Sequence, residues 1–251
     1  MYALETEIVE NANRKLTIEI HPDENPGNPR EEWDNLGILF ADHRRYDLGD
    51  SEKILGFQKS SFREAFESWS EIEEHLEGYH GALYALPVYM MDHGSVALST
   101  SSYACKWDSG RVGVIYTTTE NLMKIMGTTD VTEERVHEIL RGEIDTYSSY
   151  LNGDVYGYVI KDEDGEQLDS CWGYIGDEDK SGLWEEARAS AKYYLEKERP
   201  FRLTGENAVA TMRNMASILW PDGHHNAPWS ADTVDAIAEQ LRKAGLAPKN
   251  V

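Results

Sequence analysis

Basic residues, cysteine and long apolar runs are what this chain is short of. Its 251 residues hold 24 Lys and Arg against 46 Asp and Glu, a formal net charge of −22. A surface of that sign repels nucleic acid and anionic lipid, so direct binding to either is not expected. Two cysteines, Cys105 and Cys171, are too few for a disulfide scaffold. No apolar run approaches the roughly 20 residues that a membrane span requires. Residues 1–10 carry Glu5, Glu7 and Glu10 and lack the basic-then-apolar order of a signal peptide. The expected setting is therefore a cytoplasm, with both thiols reduced. Enough remains for a packed core: 40% of the residues are hydrophobic and 10% aromatic.

The charge is unevenly spread. Residues 200–251 carry five acids and five bases, so the whole excess lies in residues 1–199. The division predicts an acidic domain over 1–199 and a neutral two-helix segment over 200–251. The two helices are read at 206–220 and 230–244, and they serve as a brace or an oligomerisation module.

Within 1–199, apolar periodicity predicts strands at 16–20, 36–41, 83–91, 96–99, 112–117, 155–160 and 170–175. Helices are expected over 61–79, from 119 or 120 to 127, from about 132 to 151, and over 182–199. Phe62, Phe66, Trp69, Ile72 and Leu76 form the apolar stripe of the first. Thr132 is a candidate N-cap, and Asn152-Gly153 a helix stop. Strands outnumber helices in the middle and several follow each other directly. That order predicts an α+β fold, a mainly antiparallel sheet flanked by helices, with the helical pair at the C-terminus.

Polar and aromatic blocks are concentrated between residues 28 and 176: NPREEWDNLG (28–37), DHRRYDLGD (42–50), MDHG (91–94), KWDSGRVG (106–113), YLNGDVYGY (150–158) and DSCWG (169–173). In these blocks and their order the chain resembles a family of bacteriophage- and prophage-encoded proteins. It departs by an extra Glu before Trp33 and by Lys106 where the family has Pro. The resemblance implies the origin, a phage accessory gene acting in a host cell, and carries no activity with it.

Asp34, His43, Asp92, His93 and Asp108 are residue types that bind a divalent metal or share protons. Their spacing matches no established ligand motif, and no nucleotide-binding fingerprint is present. The structural reading of the same blocks is that Asp-Gly and Asp-His-Gly build turns, while Arg30, Arg44 and Arg45 pair with buried carboxylates. Cys105 beside a histidine, the run Asp92-His93-Gly94-Ser95 and the His224-His225 loop offer only the letters of a catalytic or metal site.

The acid bands remain. Eleven acids lie between Asp154 and Glu186 against Lys161 and Lys180, with further bands along 64–77 and 130–145. Carboxylates three or four apart on a helix sit about 5–6 Å apart at Cβ, a spacing that imitates part of a phosphate row. The leading expectation is a non-enzymatic, cofactor-free phage accessory protein. Its acidic, DNA-mimic-like surface would bind and inhibit or redirect a host DNA-handling or defence protein. Glu71, Glu74, Glu163, Asp164, Glu166, Asp177, Glu178 and Asp179 stand in for phosphates. The alternative is a metal-dependent hydrolase of a nucleotide or other small molecule built on the Asp/His set, with a virion-associated or assembly factor as a second alternative.

Overall fold

The computed structural model describes residues 3–12 and 14–197. The expected helices 206–220 and 230–244, the His224-His225 loop and the boundary at residue 200 lie outside the described residues.

The fold is α+β, and every strand pairing is antiparallel. The strands divide between two four-stranded sheets, where alternation along the chain had suggested one. The first joins β1 (Glu5–Glu10), β2 (Lys15–Pro22), β7 (Val155–Lys161) and β8 (Gln167–Ile175) in that order. The second runs β3 (Ile38–Ala41), β6 (Ser109–Thr118), β4 (Ala82–Asp92), β5 (Val96–Ser99). We call them sheets A and B.

Sheet B is covered on both faces, and its strands read accordingly. In β3, Leu39 and Ala41 join one core with Val88, Leu98, Ile115, Leu140 and Ile144, while Phe40 points to another with Phe62, Ile72, Leu76 and Tyr116. The first core is closed by helix α6 (Glu133–Asn152), the second by α2 (Glu52–Leu55), α3 (Lys59–Glu64) and α4 (Trp69–His80). Strands buried on both faces lose polar alternation and become continuous apolar runs. Sheet A packs one face on α7 (Leu183–Glu196), through Leu16, Ile18, Ile20, Tyr158, Ile160, Trp184 and Ala187.

Helix α6 begins and ends where its cap residues predict. Thr132 accepts a hydrogen bond from the Arg135 amide, and Gly153 turns left-handed behind it. The expected single helix over 61–79 is two, α3 and α4. Ser68 accepts from the Glu71 amide at 3.3 Å, and the Glu71 carboxylate accepts from the Glu67 amide at 3.0 Å. These reciprocal bonds start a new helix at Ser68, so the apolar stripe continues across a break in the backbone. The segment from 119 to 127 is helical as expected, as α5 (Thr119–Asn121) followed by a π-helical turn, Leu122–Met126, ended by Gly127. Among the described residues, no helix is long and apolar enough to cross a membrane.

Candidate functional site

The block NPREEWDNLG folds into a knot that sends one arginine inward. Asn28 accepts a hydrogen bond from the Arg30 amide at 3.0 Å and starts the four-residue helix α1 (Pro29–Glu32). Asn35 donates to the Pro29 and Trp33 carbonyls at 2.8 and 2.9 Å, closing the loop behind it. The Arg30 side chain is thereby aimed into the core, where the residue is only 3% exposed.

Its guanidinium meets the last residue of the DHRRYDLGD block. Arg30 donates from Nε and Nη2 to the two oxygens of Asp50 at 2.7 and 2.9 Å, from Nη1 to Glu143 at 2.8 Å, and from Nη2 to the Gly37 carbonyl at 2.7 Å. Asp50 also accepts from the Leu39 amide, and Glu143 from the Leu36 and Gly37 amides. Burial alone would lower the guanidinium's pKa, but Asp50 and then Glu143 raise it instead. Burial pushes the Glu143 carboxyl above its usual range, against the pull of Arg30 and the two amides. The arrangement fastens two loops to β3 and α6, with nearly every donor and acceptor used. Such satisfaction is what a buried ion network needs to be tolerated.

The 42–50 block meets two others, 91–94 and 106–113, at one end of sheet B. Arg45 donates to Asp92, as does Tyr46 Oη at 3.3 Å. The Asp92 amide donates to the Asp108 carbonyl at 2.9 Å, and His93 Nδ1 lies 3.2 Å from the Asp108 carboxylate. Cys105 Sγ is 3.8 Å from the same carboxylate. His43 stacks on Tyr46, with ring centroids 5.2 Å apart.

Of the five residues singled out for a metal site, His43, Asp92, His93 and Asp108 belong to this end. Asp34 does not; it lies exposed, 3.5 Å from Lys124. Among the described residues, no three Asp, Glu, His or Cys side chains are grouped to hold a metal ion. The physical reason is visible in the partners: Arg45 occupies Asp92, and His93 shares Asp108 with a thiol in the open. Of the three arginines expected to pair with buried carboxylates, Arg30 does so and Arg45 binds Asp92. Arg44 has no hydrogen-bond or ion-pair partner among the described residues.

Of two clefts, the first lies against the Arg30 network and the second along the block that ends in Asp50. The first, of about 250 Å³, lies over Trp33, Asn35, Ile139 and Glu143. The second, of about 380 Å³, is lined by residues 41–47 with Glu52, Lys59 and Ser60. Sequence spacing gave no sign of Lys59, which joins the second cleft by donating to Asp47 and the Leu48 carbonyl at 2.8 and 2.7 Å.

The eight acids expected to form one surface occupy three places. Glu163, Asp164 and Glu166 are exposed at the turn between β7 and β8. Asp177, Glu178 and Asp179 follow the far end of β8. The nine residues of that strand separate the two groups by about 30 Å. Glu71 and Glu74 are exposed on α4, which packs on sheet B. The loop acids have a neighbour that sequence reading missed. Burial, then the charges of Glu5, Asp179 and Asp177, raise the Glu178 carboxyl above its usual range. Two cations stand against this group: Lys180, 3.7 Å from Asp177, and Arg188, which feels the charge of Asp179.

No protein-family model, curated protein or solved structure matches the chain.

Proposed function

We propose that this chain is a phage accessory protein that binds a basic host protein, of the DNA-handling or defence class, through the carboxylates of sheet A. One observation supports this above the others: Asp177, Glu178 and Asp179 follow one another at one end of the sheet beside Glu5, and burial, then the charges of its three acidic neighbours, raise the Glu178 carboxyl above its usual range. Like charges held together by a fold repel, and a cationic partner relieves that repulsion. The acids at the hairpin turn extend the same sheet's negative charge to its other end. About 30 Å separates the two groups, which corresponds to roughly nine base pairs of duplex at 3.4 Å each. Glu71 and Glu74, on the other sheet, form a separate patch.

Binding of this kind falls steeply with ionic strength, because counterions and screening govern it. The test is a low-salt pull-down from host lysate with the wild-type chain and with the triple variant Asp177→Asn, Glu178→Gln, Asp179→Asn, followed by titration of whatever nucleic-acid-binding protein is recovered. The expected result is a log-affinity that declines linearly with log salt, and a loss of about tenfold or more in the variant. Recovery of no such protein, or equal capture by the variant, overturns the reading.

A further inference from the structure

In a chain with an excess of 22 negative charges, a cleft whose wall sets three permanent cations against three carboxylates is the feature the acidic surface does not explain. Arg44, Arg45 and Lys59 line the 380 Å³ cavity together with His43 and Ser60. We propose that this cleft binds the phosphate group of a small phosphate monoester, held between the Arg44 guanidinium and Lys59.

Some of the donors on this wall are already used. Lys59 is fixed, its side chain only 14% exposed, by its bonds to Asp47 and the Leu48 carbonyl. An ammonium has three protons, so one remains. Arg45 binds Asp92 through Nη2 and lies over the Tyr46 ring, 5.4 Å from its centroid, leaving its other N–H groups available. Among the described residues, Arg44 donates to none and keeps all of its donors. A guanidinium's planar fork matches two oxygens of a phosphate at once, which an unpaired arginine on a cavity wall is suited to do.

The wall also carries acids: Asp42, Asp47 and Glu52. Asp47 is taken by Lys59, and the neighbouring Asp92 by Arg45, so Asp42 and Glu52 are the carboxylates left to oppose an anion. His43 stands beside both arginines. Its pKa is depressed by burial, then by Arg45 and Arg44, and Asp42 does not reverse this. At the imidazole the two arginines act more strongly than Asp42 does. The volume falls within the range of small-molecule sites, and it suits a metabolite-sized ligand rather than a polymer.

The test uses the full chain at low salt, with inorganic phosphate, adenosine 5′-monophosphate and adenosine as probes. Calorimetry and the His43 ring resonances serve as readouts. Phosphate and the monophosphate are expected to bind at millimolar or lower concentration and to move the His43 titration upward, while adenosine does neither. Arg44→Ala, at an exposed position without a partner, should fold normally and lose about tenfold or more in affinity, and Arg44→Lys should retain part of it. Asp42→Asn should bind more tightly than wild type. The proposal is overturned if neither phosphate probe binds, if adenosine binds as well as its monophosphate, or if Arg44→Ala binds as the wild type does.

Discussion

At the scale of single residues, Arg30 organises more of this molecule than any acid does. It ties the 28–37 and 42–50 blocks to β3 and α6 through two carboxylates that have few other sources of positive charge. Removing one member of such a network leaves a charge buried without a partner. Arg30→Ala or Asp50→Ala is therefore expected to cost about 3–5 kcal/mol, read as a lower midpoint in urea unfolding. Arg30→Lys should recover little of this, because an ammonium cannot reproduce the paired bonds to Asp50. Unchanged midpoints would remove the network from the account of stability. The sequence made a buried partner for Arg30 readable, since an arginine among turn residues needs an explanation. It gave no means of choosing Asp50 and Glu143, which lie 20 and 113 residues away. Contacts at such separations leave no periodic trace. The same holds for the candidate site: His43, Asp92, His93 and Asp108 lie at one end of sheet B, but the pairing of Asp92 with Arg45, 47 residues away, could not be read from spacing.

At the scale of elements, local chemistry was legible wherever a cap or a two-faced apolar run spoke for itself. The boundaries of α6 and the β7–β8 hairpin follow from Thr132, Gly153 and alternation. Strand β1 was missed because its glutamates, at Glu5, Glu7 and Glu10, mask the pattern of a strand. Only Val9 packs against the α7 core, and Arg188 draws Glu7 toward that side. The break at Ser68 was also missed, since a stripe of phenylalanines and tryptophan looks alike whether or not the backbone bends beneath it. Gly157 is a position where one atom matters. A Cβ there would lie 2.3 Å from the Trp172 ring and 2.7 Å from the Cys171 carbonyl. Gly157→Ala should therefore force the indole away or distort the β7–β8 pairing. A loss of about 1–3 kcal/mol is expected, accompanied by a change in Trp172 fluorescence; a neutral substitution would mean that the indole moves aside freely.

At the scale of the whole molecule, the balance of charge sets how stability answers to pH and salt. Glu178 has a folded pKa above its unfolded value. Its contribution is therefore most favourable below the unfolded carboxylate range, and it is lost as pH rises through the folded value. Glu178→Gln should be slightly more stable than wild type at neutral pH, by no more than about 0.5 kcal/mol given solvent screening. The difference should shrink toward pH 4 and with added salt. Thermal melts across pH and ionic strength check this, and a variant less stable than wild type at neutral pH would contradict it. Net charge was fully legible in the sequence, whereas its division between two sheets was not, because the pairing of β2 with β7 brings together segments more than a hundred residues apart.

Among the described residues, strand β1 is an outer strand of sheet A, with no strand paired along its other side. Glu5, Glu7 and Glu10 along it would face their own counterparts in any second copy that docked edge to edge. Whatever else those carboxylates attract, they guard against fibril-like stacking, and the guard weakens in acid.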